Sequence, residues 1–213
     1  MSYKIRVELL GLGDELLLGL RENSHLVNIG DKLAARGLEL DYAHVVKDDP
    51  EEIRRFFFES WERSDLIITT GGLGPTVDDL TRETVAEALG LPLVFDEAIL
   101  AQVMERFERS NKTMPESNRK QCYVPEGAEI LPNPFGTAPG LFVQKDGKTL
   151  IMLPGPPREL NPMLENEVIP RLEKLGILHE TESYVGFRTA GIGESSLEEK
   201  LASITGPIDG LHV

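Results

Sequence analysis

The chain has 213 residues, 40% hydrophobic and 27% charged, which suits one well-buried domain with an appendage and excludes a globally disordered chain. Its 22 basic against 36 acidic side chains give a formal charge of −14, which opposes the phosphate contacts that nucleic-acid binding needs. The single Cys122 excludes an intramolecular disulfide and a zinc–thiolate site, and no apolar run suits a signal peptide or membrane span, so a soluble, unprocessed protein of a reducing cytoplasm is expected.

Ile5, Val7 and Leu9 alternate with Arg6 and Glu8, predicting a first strand that runs into the turn Gly11-Leu12-Gly13-Asp14. A helix is expected next, capped by Ser24, burying Leu26, Ile29 and Leu33 and stopping at Gly37. Leu38 to Val46 reads as a second strand. Asp49-Pro50-Glu51-Glu52 combines a cap, a proline at the first position and an acidic first turn, so the following helix should bury Ile53, Phe56, Phe57 and Trp61. Leu66 to Thr69 is the third strand, and it delivers the segment Thr69-Thr70-Gly71-Gly72-Leu73-Gly74-Pro75-Thr76-Val77-Asp78-Asp79-Leu80-Thr81. A helix is predicted from Asp78 to Gly90, with Leu80, Val85, Ala88 and Leu89 inward, and another after Asp96, with Ile99, Leu100, Val103, Met104 and Phe107 at core spacing. Strands alternating with such helices specify an α/β fold with a largely parallel sheet covered on both faces, whose ligands bind beyond the carboxyl ends of the strands.

From Pro125 prolines punctuate short apolar runs. Leu141 to Gln144 and Thr149 to Leu153 flank Lys145-Asp146-Gly147-Lys148 as a hairpin. Pro157 to Leu175 predicts a helix interrupted near Pro162 and ending before Gly176. A strand over Ser183 to Thr189 and a helix over Ser195 to Leu201 suggest a small α+β unit.

The glycine segment is the most informative site. Gly71, Gly72 and Gly74 let backbone N–H groups approach a ligand at a helix start, which favours an anion. Asp78 and Asp79 then stand where phosphate is expected, and carboxylates tolerate phosphate when a divalent cation lies between them. A capping box of Thr76 and Asp79 is the plainer alternative, but it requires neither Asp78 nor three glycines. The spacing matches neither G-x-G-x-x-G nor a P-loop.

Other segments keep two readings each. Gly11 to Glu15 is either a turn with solvated acids or part of the same crevice, to which Asn23 and Ser24 offer polar groups. Asp48 and Asp49 follow the second strand, and capping is favoured for Asp49. Asn133-Pro134-Phe135-Gly136-Thr137-Ala138-Pro139-Gly140 either presents donors, with the side chains of Asn133 and Thr137, or is a structural turn. Leu153-Pro154-Gly155-Pro156-Pro157 is a loop of fixed shape with Glu159 in the next helical turn. Arg119 and Lys120, beside Gln121, suit either phosphates or an exposed face. The four histidines show no ligand spacing.

Taken together, Gly13 to Gly19, Asn23-Ser24, Gly71 to Thr81, Asn133 to Gly140 and Leu153-Pro154-Gly155-x-Pro157-x-Glu159 resemble the N-terminal domain of the competence/damage-inducible protein CinA family, from about residue 4 to residue 175. That domain is similar to the molybdopterin-binding domains of molybdenum-cofactor biosynthesis proteins. The resemblance implies a three-layer α/β/α fold over residues 1–175 and a partial KH-like α+β segment over 176–213, recognisable from Arg188-Thr189-Ala190-Gly191-Ile192-Gly193-Glu194-Ser195. It carries no expectation of RNA binding or of the family's C-terminal amidase, for which the chain has no room.

The implied activity is metal-dependent hydrolysis of a nucleotide diphosphate such as ADP-ribose to AMP and ribose 5-phosphate. The alternatives are molybdopterin binding or nucleotidyl transfer in molybdenum-cofactor biosynthesis, and a non-catalytic nucleotide-binding module. The resemblance places Asp78 and Asp79 in catalysis and Asp14, Asp78 and Asp79 on a divalent metal, Mg, Mn or Co. Gly71, Gly72, Leu73, Gly74, Thr76, Thr81, Asn23, Asn133, Gly136, Thr137, Gly140 and Gly155 would bind substrate or phosphate. A small-molecule nucleotide partner, no nucleic acid, no membrane and a self-associating chain complete the expectation.

Overall fold

In the computed structural model, which describes residues 4–178 and 189–205, β1 (Val7–Leu12) is buried along its whole length. Its side chains alternate between two cores: Val7 and Leu9 enter one, Leu10 and Leu12 the other. β3 (Leu66–Thr70) and β8 (Lys148–Leu153) divide in the same way, with Leu66, Ile68, Ile151 and Leu153 on the first face and Ile67, Leu150 and Met152 on the second. Strands apolar on both faces belong in the centre of a covered sheet.

The sheet runs in the order β2-β1-β3-β8-β7-β6, where β2 is Tyr42–Val46, β6 Glu129–Leu131 and β7 Gly140–Lys145. Pairings β1–β2, β1–β3 and β3–β8 are parallel, and β7–β8 and β6–β7 antiparallel. The first face is covered by α2 (Ser24–Ala34), α6 (Pro157–Met163) and α7 (Ile169–Lys174), and the second by α3 (Pro50–Arg63), α4 (Thr81–Ala88) and α5 (Glu97–Arg109). The three-layer α/β fold with a mostly parallel sheet is therefore present. A separate antiparallel pair, β4 (Leu93–Phe95) with β5 (Tyr123–Pro125), brackets α5 and is not signalled by the sequence pattern.

Several boundaries move for local reasons. The second strand begins at Tyr42 rather than Leu38, because Asp41 Oδ2 accepts the Val7 N–H at 2.9 Å and turns the chain into the sheet. α2 is capped by Asn23, whose Oδ1 accepts the Leu26 N–H at 3.4 Å, not by Ser24, and its buried stripe is His25, Ile29 and Leu33, leaving Leu26 exposed. Met104 is likewise exposed on α5. The helix after the glycine segment starts at Thr81 instead of Asp78, since residues 76–79 form a turn of their own. The predicted interruption after Pro157 is a π-helical stretch at Leu164–Val168.

The chain divides into two compact units, Met1–Ser183 and Tyr184–Val213. Within the second unit α8 spans Glu194–Thr205, covering the helix expected over Ser195 to Leu201. The strand expected over Ser183 to Thr189 lies, apart from Thr189, outside the described residues. Among the described residues no helix is long and apolar enough to cross a membrane.

Candidate functional site

The carboxyl ends of β1, β3 and β8 lie side by side in parallel register and open into a cleft of about 450 Å³. Its floor is the glycine segment. Gly71 follows β3 with φ +95°, donates its N–H to Leu153 O at 3.0 Å, and lies so close to Leu12 O that a side chain would collide with that carbonyl. Gly72 has φ +66° and abuts the Thr81 hydroxyl. The glycines thus draw the β1, β3 and β8 ends together in a conformation other residues resist. Among the described residues, the N–H groups of Gly72, Leu73 and Gly74 donate to no protein acceptor, and Thr81 Oγ1, buried beneath them, also lacks a partner. Buried polar groups are nearly always paired, so this cluster of open donors suits an anion supplied from outside.

Asp78 and Asp79 line the rim with Thr76. Asp79 Oδ2 accepts the Thr76 N–H at 2.8 Å and the Thr76 hydroxyl at 2.6 Å, so the capping-box contact exists, but it closes a turn ahead of the helix. Lys120 tightens the same turn by donating to Thr76 O at 3.0 Å and to Asp79 O; its ammonium therefore serves the loop backbone. Gln121 lines the cleft directly.

Asp14 does not line the cleft. Its N–H donates to Asp48 Oδ2 at 3.1 Å, and its own Oδ1 accepts the Asp48 N–H at 3.3 Å, stapling the loop after β1 to the loop after β2. Asp48 does line the cleft, and burial pushes its carboxyl above the ordinary range, with the charges of Asp14, Glu15 and Asp79 adding to the rise against the opposing hydrogen bond from Asp14. Asp49 caps α3, accepting the Glu51 and Glu52 N–H groups at 3.0 Å each.

Of the other expected site residues, Thr137 and Gly155 line the cleft. Asn133 and Gly136 line a neighbouring cleft against α5 that shares Thr137 with the first, and Asn133 donates to Glu159, a residue of the first cleft, at 2.9 Å. Asn133 holds its loop from within, accepting the Phe135 and Gly136 N–H groups at 3.1 and 2.9 Å and donating to Ala138 O at 2.7 Å. Gly140 is a packing residue of β7, where a side chain would press on Met163 and Met152 O, and Asn23 is the α2 cap. Asn133→Ala should cost about 1–3 kcal/mol through the donors it strands, read as a lower midpoint in urea unfolding.

Two further residues line the cleft without a local sequence signal for it, Arg21 and His25. His25 is buried, with Nε2 2.6 Å from Gly155 O and Nδ1 2.9 Å from Thr70 Oγ1. The carbonyl can only accept, so Nε2 carries the proton, and a neutral ring takes the Thr70 hydroxyl at Nδ1. The fourfold spacing His25, Ile29, Leu33 is the signal that could have placed it inward. Burial lowers its pKa, outweighing the Gly155 carbonyl and the charge of Glu15. A depressed histidine pKa means the unfolded chain takes up the proton first as pH falls, so this group's stability contribution is intact above about pH 6.5 and declines below it. Its Cε1 proton resonance should titrate with a midpoint below about 6.5, and a midpoint above that value would contradict the neutral tautomer.

Among the described residues no three His, Cys, Asp or Glu converge as a ready cation cage. Asp78, Asp79 and Asp48 instead share a rim. That donor set fits a hard cation held partly by substrate oxygens and water, in the manner of Mg²⁺, better than an all-protein site.

The sequence matches the family described as "Probable molybdopterin binding domain" over residues 8–174. A protein of Caldicellulosiruptor bescii named "Putative competence-damage inducible protein" is 47% identical over 197 residues, which is 92% of this chain and 47% of that protein. The chain spans about half the length of the curated relatives it matches. Among solved structures, the protein CinA of Thermoplasma acidophilum, described as of unknown function, superposes with a TM-score of 0.70 at 34% identity, covering 79% of this chain and 96% of that one. The molybdopterin biosynthesis enzyme MoaB of Thermus thermophilus shares the fold, with a TM-score of 0.53 at 21% identity over 81% of this chain and 95% of its own.

Proposed function

The chain belongs to the molybdopterin-binding domain family, among the CinA-type competence-damage inducible proteins, and we propose that its cleft binds a nucleotide diphosphate of the ADP-ribose kind and hydrolyses it to AMP and ribose 5-phosphate. The observation that carries the reading is the row of unpartnered N–H groups at Gly72, Leu73 and Gly74, residues that line one cleft with the carboxylates of Asp48, Asp78 and Asp79. Donors of that kind suit phosphate oxygens, and the carboxylates suit a divalent cation that neutralises phosphate charge and acidifies bound water. Asp78 and the free Oδ1 of Asp79 would hold that cation, with Asp48 beside them. Thr81 Oγ1 supports the floor beneath the phosphate, while His25 fixes the Gly155 loop that closes the far wall.

The test is release of AMP from ADP-ribose with Mg²⁺, Mn²⁺ or Co²⁺. Metal-dependent release is expected, and Asp78→Asn should reduce it by roughly a hundredfold or more, because positioning and charge stabilisation at phosphate are worth that much. Failure to cleave any nucleotide diphosphate with any of the three metals would sink the hydrolase reading. Adenylate transfer to molybdopterin would move the site to nucleotidyl transfer, and nucleotide binding without turnover would make it a sensor.

A further inference from the structure

Five carboxylates, of Glu15, Asp48, Asp78, Asp79 and Glu159, line the cleft, against one Lys or Arg among its described lining residues, Arg21. Arg21 is exposed, and among the described residues its guanidinium makes no hydrogen bond or ion pair. Its backbone is fixed: the N–H groups of Leu20 and Arg21 both donate to Glu15 O, at 2.9 and 3.2 Å, in a bend after the short helix α1 (Asp14–Leu17).

That bend leads into α2 on the first face of the sheet, whereas the glycine segment leads into α4 on the second. The cation and the open backbone donors therefore reach the cleft from opposite sides of the strand ends. A guanidinium beside several carboxylates and paired with none of them is available to an incoming anion, and its planar fork matches two phosphate oxygens.

We infer that Arg21 takes the second phosphoryl group of the substrate, the one the glycine-segment N–H groups do not hold, and so selects diphosphates over monophosphates. This rests on the nucleotide reading above and names its specificity residue. The glycine segment alone satisfies a monophosphate. A second phosphoryl group placed beyond it meets carboxylates on both sides, Asp78 and Asp79 before α4 and Glu159 on α6 beside α2, and among the described lining residues finds one Lys or Arg, Arg21. Arg21 is thus the one side chain in the cleft whose removal penalises the second phosphate while sparing the first.

The experiment is calorimetric titration, in excess Mg²⁺, of wild type, Arg21→Gln and Arg21→Lys with AMP and with α,β-methylene-ADP, whose bridging carbon resists cleavage. Arg21→Gln should weaken α,β-methylene-ADP roughly ten- to hundredfold while AMP stays within about twofold, and Arg21→Lys should fall between, keeping the charge but not the fork. Because Arg21 is exposed, unchanged melting temperatures should accompany the loss. Equal weakening of both ligands, or of neither, overturns the role of Arg21 while the nucleotide site stands. If wild type binds neither ligand, the nucleotide reading fails and this assignment with it.

Discussion

Gly72→Ala should abolish nucleotide binding, with affinity for ADP-ribose or AMP lower by a hundredfold or more, while the protein remains folded. A Cβ built on Gly72 collides with Thr81 Oγ1 and would stand 2.9 Å from Thr81 Cβ and 3.2 Å from Thr81 N. Those atoms open α4 and cannot swing aside, because the Thr81 N–H donates to Gly72 O at 3.2 Å. The loop must therefore shift, and the N–H groups of Gly72, Leu73 and Gly74 move with it. Losing several charge-assisted donors at about 1.5–3 kcal/mol each accounts for the expected loss.

Backbone strain by itself is separable from this effect. Gly90 has φ +64°, almost the same conformation, yet a Cβ there meets nothing within 4 Å. Gly90→Ala should thus cost only the left-handed penalty of about 1–2 kcal/mol in unfolding and leave binding unchanged. Equal binding losses in the two variants, measured by calorimetry with AMP, would mean that general destabilisation rather than loop geometry explains them.

The sequence made β3 and β8 legible as short apolar runs and β1 by the alternation of Val7 and Leu9 with Glu8, while β4 and β5 gave no such signal, and it made the glycine segment legible because three glycines in four positions have few other uses. The helix starts at Pro50 and Glu97 were readable from Asp49 and Asp96, whose carboxylates cap the following N–H groups as composition suggests. What escaped depends on partners distant in sequence. What local pattern hides about Asp14 is that it exchanges hydrogen bonds with Asp48, 34 residues on. Lys120 suits phosphate until the carbonyls of Thr76 and Asp79 are found beneath it. The spacing of His25 with Ile29 and Leu33 points it inward, but its role stays hidden because its partners, Thr70 and Gly155, come from β3 and the loop after β8. Local pattern specifies elements, whereas the role of a polar side chain is set by what the sheet order brings beside it.

Glu8→Gln is expected to lower the unfolding free energy at pH 7 by about 3 kcal/mol and the melting temperature by roughly 6–12 °C. Glu8 is wholly buried in β1, where its oxygens accept from Ser60 Oγ at 2.7 Å, Ser64 Oγ at 2.5 Å, Arg63 Nε at 2.6 Å and Arg63 Nη2 at 2.8 Å. Burial alone would raise its pKa, but hydrogen bonds from Arg63, Ser64 and Ser60 outweigh that and hold it at about 2. An amide there keeps one acceptor oxygen and sets an NH₂ against donors, leaving Arg63 short of its counter-charge.

The pH sign follows from the depressed value. The contribution is complete above the unfolded pKa of 4.5 and vanishes as pH falls toward about 2, so the wild-type advantage over Glu8→Gln should shrink across that window in urea titrations. A constant difference down to pH 2 would contradict it. Asp48 shows the opposite balance: donors around Glu8 outweigh its burial and push its pKa down, whereas burial, with the charges of Asp14, Glu15 and Asp79 adding to it, pushes the pKa of Asp48 up. The fold thus neutralises the acid inside its sheet with its own arginine, whereas among the described residues the acids that line its cleft have only Arg158, 3.9 Å from Glu159, as an ion-pair partner and the unpaired Arg21 as a lining cation. Under the proposed function, a cleft lined in that way would gain most from a ligand that arrives with its own divalent cation and carries enough negative charge to engage Arg21.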